Sequence, residues 1–144
     1  MYLLDTNVLS GMRKASRSKP SSAKMDQRVE KWVNSVSASD LHLSVVSILE
    51  LERGFNLLKQ KDPAQAAVIR EWVRSRVSPS FGFRILTFDL AVAQRCAGLV
   101  ISNPIKYRDS LIAATAPVHK MTMVTRNGCH FERTGASLLN PWDE

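Results

Sequence analysis

The chain has 144 residues, 44% of them hydrophobic, and Lys plus Arg outnumber Asp plus Glu 20 to 13 for a formal charge of +7. That length suits one domain over residues 1–144 with its own core, and the apolar fraction argues against a disordered or fibrous chain. The basic balance favours a polyanionic partner, nucleic acid before an anionic membrane.

No apolar run reaches the ~18 residues that a membrane span needs, so no membrane is expected among its partners. The two cysteines, Cys96 and Cys129, form neither a CxxC pair nor a disulfide framework. No charged-then-apolar leader precedes Tyr2, and the expected location is the reducing cytoplasm.

The chain opens MYLLDTNVLS. Tyr2, Leu3 and Leu4 predict a short buried strand that stops at Asp5, and TNVLSGMR predicts a short helix after it. Residues 13–24, RKASRSKPSSAK, are basic, Ser-rich and interrupted by Pro20, which predicts an exposed loop. Val29, Trp32, Val33 and Val36 recur with helical spacing in MDQRVEKWVNSV. Residues 41–46, LHLSVV, predict a strand.

A helix is expected from Ser47 to just before Asp62-Pro63, and another over residues 64–77 with Pro79 helping to end it. Residues 84–87 look strand-like, 89–100 helical, Asn103-Pro104 a turn, and 108–118 helical, with Pro117 ending or kinking that helix. MTMVT, residues 121–125, predicts a strand, and SLLNP an added edge strand. Strands separated by helices argue for an α/β fold: an open, mostly parallel sheet with helices on both faces. In such sheets functional side chains gather at the carboxyl ends of the strands. Asp5 occupies such an end.

Each acid at a helix start has an ordinary explanation as a cap. Asp5 can accept orphan N–H groups in the next turn. Ser47-Ile48-Leu49-Glu50 matches the capping box, in which Glu50 reaches back to the cap N–H. Yet Glu50 lies between Leu49 and Leu51, where an idle carboxylate is costly to desolvate; Glu52 should be solvated. Asp109 opens the small-residue helix DSLIAATA, and Asp89, in LTFDLAVA, reads as a cap. Taken together, Asp5, Glu50 and Asp109 would meet at one edge of a doubly wound sheet. Carboxylates crowded there repel unless cations neutralise them, and such hard oxygen donors suit Mg²⁺ or Mn²⁺ rather than zinc.

The segments LLDTNVLS, SVVSILELERG, YRDSLIAATA, MTMVTRN and LLNPW resemble, in the same order, those of PIN-domain ribonucleases, and most closely the VapC/FitB-like toxins of bacterial toxin–antitoxin pairs. The resemblance extends from Met1 to about Trp142. It implies a three-layer α/β/α sandwich with an acidic pocket for Mg²⁺ or Mn²⁺. By motif match, Asp5 and Asp109 would be the principal metal ligands and Glu50 the third acid, with Thr6 and Asn7 supporting the first. Thr125 and Asn127, in the TRN segment, would lie at the rim. One departure stands out: relatives often carry a fourth acid before the Phe that follows TRN, and here TRNGCHF places His130 there. Asn127 could offer a neutral oxygen instead, so one metal or two remains open.

The implied reaction is phosphodiester hydrolysis of RNA leaving a 5′-phosphate and a 3′-hydroxyl. A cation at Asp5 and Asp109 would activate water, with Glu50 positioning it, sharing the metal or taking a proton. Basic residues would hold the RNA backbone: Arg13, Lys14, Arg17, Lys19 and Lys24 in the Ser-rich loop, and Arg53, Lys106, Arg108 and Arg126 near the motifs. Each is otherwise an ordinary solvated charge, and Arg53 has Glu50 or Glu52 as alternative partners. His42, His119 and His130 share no motif that supports metal-free cleavage, and no Cys/His spacing suits structural zinc.

The expected partners are the RNA substrate and a small antitoxin covering the acidic pocket, in homodimers or toxin–antitoxin hetero-oligomers. Trp32 and Trp72 are candidates for such an interface, or else core residues. Two other readings stand beside this one: a non-catalytic RNA- or protein-binding module whose acids serve only as caps, and a housekeeping PIN nuclease in RNA processing.

Overall fold

Five parallel strands form one sheet in the order β3-β2-β1-β4-β5, in a computed structural model that describes residues 1–15, 23–102 and 107–143. They are β1 (Tyr2–Leu4), β2 (Leu41–Ser44), β3 (Ile85–Leu86), β4 (Thr122–Val124) and β5 (Ser137–Leu139). The helices are α1 (Thr6–Ala15), α2 (Ala23–Ser35), α3 (Val45–Lys59), α4 (Pro63–Trp72), α5 (Ser78–Phe81), α6 (Leu90–Ser102) and α7 (Tyr107–Val118). Leu4 pairs with Leu43 on one side and Val124 on the other. The end of β1 is therefore flanked by the ends of β2 and β4, which is where a doubly wound sheet opens its crevice.

Alternation along the strands divides the core in two. Successive strand residues face opposite sides of a sheet. Leu4, Leu41, Leu43 and Val124 pack with Val8, Val29, Trp32, Leu51 and Phe81 on one face, from α1, α2, α3 and α5. Leu3 and Met123 pack with Val92, Cys96, Ile112, Ala113 and Phe131 on the other, under α6 and α7. A core on each face of the sheet is the three-layer α/β/α arrangement. Leu3 and Leu4 are both fully buried, and truncating either to Ala should cost about 2–5 kcal/mol. Trp32 belongs to the first core, where it meets the ring of Tyr2 edge-on at 5.3 Å; Trp72 is partly buried against the same cluster.

Several boundaries differ from those read in sequence. Residues 13–15 and 23–24 are helical rather than loop, because the Arg, Lys and Ala that occupy them are good helix formers; the rest of that segment lies outside the described residues, as does the expected turn at Asn103-Pro104. β2 ends at Ser44, not Val46. Ser44 caps α3 by accepting the Val46 N–H at 3.1 Å, so the capping box at Ser47 does not form. Ser47 is instead inside the helix, fully buried, with its hydroxyl unpartnered among the described residues. Pro79 does not end the helical run either. A π turn over Val73–Val77 leads into α5, with Pro79 in its first turn, a position that needs no proline N–H.

The remaining elements follow the sequence pattern closely. Asp89 does cap α6, accepting the Val92 N–H at 3.0 Å. SLL pairs with β4 as a parallel edge strand. Pro117 lies in the last turn of α7, and the chain leaves through Lys120 at φ 54°, with the Met121 N–H reaching back to the Ala116 carbonyl at 2.9 Å. No helix among the described residues is long and apolar enough to cross a membrane.

Candidate metal centre

Asp5 sits where β1 gives way to α1. Its N–H still donates to the Val124 carbonyl of β4 at 2.9 Å, while its own carbonyl accepts the Val8 N–H at 3.0 Å to begin the helix. The side chain does not act as an ordinary cap, which would bind N–H groups deeper in the first turn. Oδ1 accepts the adjacent Thr6 N–H at 2.7 Å, and Oδ2 accepts Asn7 Nδ2 and Thr125 Oγ1, each at 2.7 Å. These donors hold the carboxylate in one orientation, and Asp5 is only 8% exposed.

Burial pushes the Asp5 carboxyl above its ordinary pKa; hydrogen bonds from Thr125 and the Thr6 N–H pull it back, and the charges of Glu50 and Asp109 raise it further. Donors to the ionised form lower a carboxyl pKa, whereas desolvation and like charges raise it. The electrostatic coupling follows from topology. Glu50 stands early in α3, which leaves the carboxyl end of β2, and Asp109 lies in the first turn of α7, which runs down to β4. Both helix starts therefore project to the edge where β1 ends.

Glu50 is joined to this edge through Thr6, whose Oγ1 donates to Glu50 Oε2. Asp109 has His130 beside it, with Nδ1 3.5 Å from Asp109 Oδ2. Thr125 is not at the rim, as expected from sequence, but fully buried beneath Asp5: Asn7 Nδ2 also reaches Thr125 Oγ1 at 3.1 Å, and the Asn127 N–H donates to the same hydroxyl at 3.1 Å. The Asn127 side chain is exposed at the rim. Asn7 Oδ1 further accepts the Arg126 N–H at 3.3 Å. The structure thus assembles Asp5, Thr6, Asn7, Glu50 and Thr125 in one hydrogen-bonded set, with Asp109 acting on it through its charge.

Among the described residues no three His, Cys, Asp or Glu side chains stand close enough to grip one ion directly. The donor set nonetheless fits a divalent cation. Mg²⁺-like ions keep several waters and bind through one or two carboxylates, and a buried Asp5 facing two further negative charges is the arrangement that a cation relieves.

The basic residues divide. Arg53, Arg108 and Arg126 are exposed, and Arg126 lies over the Trp142 ring at 5.5 Å. Arg53 makes no ion pair with Glu50 or Glu52 among the described residues. Arg13 is half-buried in α1 rather than in a loop. Arg17, Lys19 and Lys106, and the side chains of Lys14 and Lys24, lie outside the described residues. Sequence reasoning placed Thr6 beside Asp5, where its N–H donates, but missed that its hydroxyl bridges to Glu50; no local signal links residues 44 positions apart.

Comparison with known proteins bears on the whole chain. The PIN domain family matches residues 2–136. The chain is 33% identical to the Toxin FitB of Neisseria gonorrhoeae, with 100% of both proteins covered. It is 30% identical to the VapC ribonuclease Y4jK of Sinorhizobium fredii, with 99% of each covered. It superposes on the crystal structure of FitAcB from Neisseria gonorrhoeae with a TM-score of 0.83 at 33% identity, covering 100% of both chains. With the family matched over residues 2–136 and relatives at 30% identity or more covering almost the whole chain, the chain belongs to the PIN-domain family.

Proposed function

We propose that this single-domain protein is the ribonuclease toxin of a toxin–antitoxin pair, an endoribonuclease that requires Mg²⁺ or Mn²⁺ and acts in the cytoplasm. The observation that carries the reading is the buried Asp5 carboxylate, held by three donors and raised in pKa by burial and by the charges of Glu50 and Asp109. Relatives named as a toxin and as a VapC ribonuclease support it.

Asp5, Asp109 and Glu50 would hold the cation, which when bound supplies charge neutralisation at the scissile phosphate. The chain's own groups do the rest. Thr6, Asn7 and Thr125 orient Asp5 by donating to its carboxylate, and Thr6 also donates to Glu50. Glu50, half-buried and held by the Thr6 hydroxyl, would position the attacking water or accept its proton. Arg53, Arg108 and Arg126 would contact the phosphates that flank the cut. The partner would be a small antitoxin that covers the acidic pocket, in a homodimeric or hetero-oligomeric assembly.

The test compares wild type with Asp5→Ala on total cellular RNA, adding and withholding Mn²⁺, and sequences the new 5′ ends. New 5′-phosphate ends that need both metal and Asp5 are the expected result. Cleavage that survives EDTA, or 2′,3′-cyclic phosphate ends, would overturn it. Growth arrest on expression, lost in Asp5→Ala, is expected of a toxin.

A further inference from the structure

We propose that Trp142 is a positioning residue for RNA: its ring holds the Arg126 guanidinium at the edge of the site, leaving the N–H donors of that group to meet a backbone phosphate. The inference rests on the ribonuclease reading given above. Arg126 Cζ lies 5.5 Å from the centroid of the Trp142 ring, within the ~6 Å over which a cation is drawn to an aromatic face. A guanidinium held over a ring keeps its donors in its own plane, in the fork that matches a phosphate. Among the described residues Arg126 makes no ion pair, so no carboxylate has already neutralised it.

Both partners are fixed beside the acids. Arg126 follows Thr125, whose hydroxyl donates to Asp5, and its own N–H donates to Asn7 Oδ1 at 3.3 Å. Trp142 lies just beyond the carboxyl end of β5, and the Thr125 N–H reaches the Leu139 carbonyl at that end at 3.0 Å. The Trp142 N–H donates to Asn140 Oδ1 at 3.2 Å, and its carbonyl accepts from Arg28 of α2. The ring is only 6% exposed, whereas Arg126 is exposed. A buried platform thus carries a solvent-facing charge.

The indole is not placed by its polar end. A buried tryptophan usually finds a partner for its N–H, but Trp142 Nε1 is buried with none among the described residues. What it offers beyond an aliphatic side chain is its face, the strongest cation partner of the aromatic residues. Arg84, which lies over Phe81, differs: its donors go to the Ala38, Leu41 and Ser80 carbonyls. Restraining Arg126 in advance reduces the rotamer freedom lost when it meets a phosphate.

The experiment measures binding of a short mixed-sequence single-stranded RNA by fluorescence anisotropy, in the Asp5→Asn protein so that no RNA is cut. Trp142→Phe, Trp142→Leu and Arg126→Ala are compared singly, and Trp142→Leu is also combined with Arg126→Ala. Trp142→Leu should weaken binding about two- to fivefold, the scale of an exposed cation–π contact, with Trp142→Phe in between. With Arg126→Ala already present, Trp142→Leu should cause no further loss, because the two side chains act as one unit. A loss of equal size in both backgrounds would make Trp142 a packing residue only and overturn the proposal. ¹⁹F spectra of protein carrying fluorinated tryptophan give a readout that survives if Trp142→Leu does not fold. The Trp142 signal, assigned with Trp142→Phe, should move on RNA addition and stay still in Arg126→Ala; a signal unmoved by saturating RNA would also overturn the proposal. No RNA binding by any of these proteins would defeat the ribonuclease reading and this inference with it.

Discussion

Thr6 and Glu50 are joined side chain to side chain although 44 positions separate them, and the bond ties the first turn of α1 to α3. It turns a residue that merely follows Asp5 in sequence into the link between two acids. Thr6→Val keeps the shape and removes the hydroxyl. It should cost about 1 kcal/mol of stability, because both groups are only half-buried, and weaken Mn²⁺ binding several-fold, with Thr6→Ser close to wild type. Urea unfolding and calorimetric titration check it; equal metal affinity in wild type and Thr6→Val would refute the link.

Thr125 is fully buried and its hydroxyl donates to Asp5 Oδ2 at 2.7 Å while accepting from Asn7 and the Asn127 N–H. Thr125→Val removes the donor and leaves buried polar partners unmatched, at a cost of about 1–3 kcal/mol. Thr125→Ser should recover most of the loss. Chemical denaturation of the three proteins in EDTA decides it, and a Val variant as stable as wild type would contradict the buried network.

The raised pKa of Asp5 sets the direction of a pH effect. Between its unfolded and its higher folded value the folded chain holds more protons, so stability falls as pH rises through that window and the full penalty is present above it. In EDTA, wild type should therefore lose stability relative to Asp5→Asn as pH rises from the ordinary carboxylate range upward. Saturating Mn²⁺ should reverse the trend, because an ion bound only by the folded, ionised site stabilises it and releases the proton. A flat difference between the two proteins across pH would count against the buried charge.

Arg53, Arg108 and Arg126 are exposed and follow or precede Glu50, Asp109 and Thr125 closely in the chain. If each meets one phosphate, replacing it by Ala should lower the slope of log affinity against log salt for single-stranded RNA by about 0.7. The measurement uses the Asp5→Asn protein so that RNA is not cut, read by fluorescence anisotropy at several salt concentrations. Unchanged slopes in all three variants would place the RNA path elsewhere.

Strand and helix types were legible from the residues because burial direction is written locally. Leu3 and Leu4 face opposite cores, as period-two alternation requires, and Val29 and Trp32 share one face of α2 as helical spacing requires. Boundaries were less legible where one motif had two possible starts: Ser44 and Ser47 both precede α3-like residues, and only Ser44 offers its oxygen to a helical N–H. Pro79 signalled an end that the π turn and the first-turn position of proline made unnecessary.

That acids stand at strand ends and helix starts could be read from LLDTN, LELERG and YRDSL alone. Which of them meet could not. The contacts of Asp5 with Thr125, of Thr6 with Glu50 and of Asp109 with His130 depend on β1 lying between β2 and β4. Strand order is decided by how the two cores close over the sheet, a long-range packing choice that spacing along the chain does not encode. Local pattern sets which way each side chain points; only the assembled sheet sets what it points at.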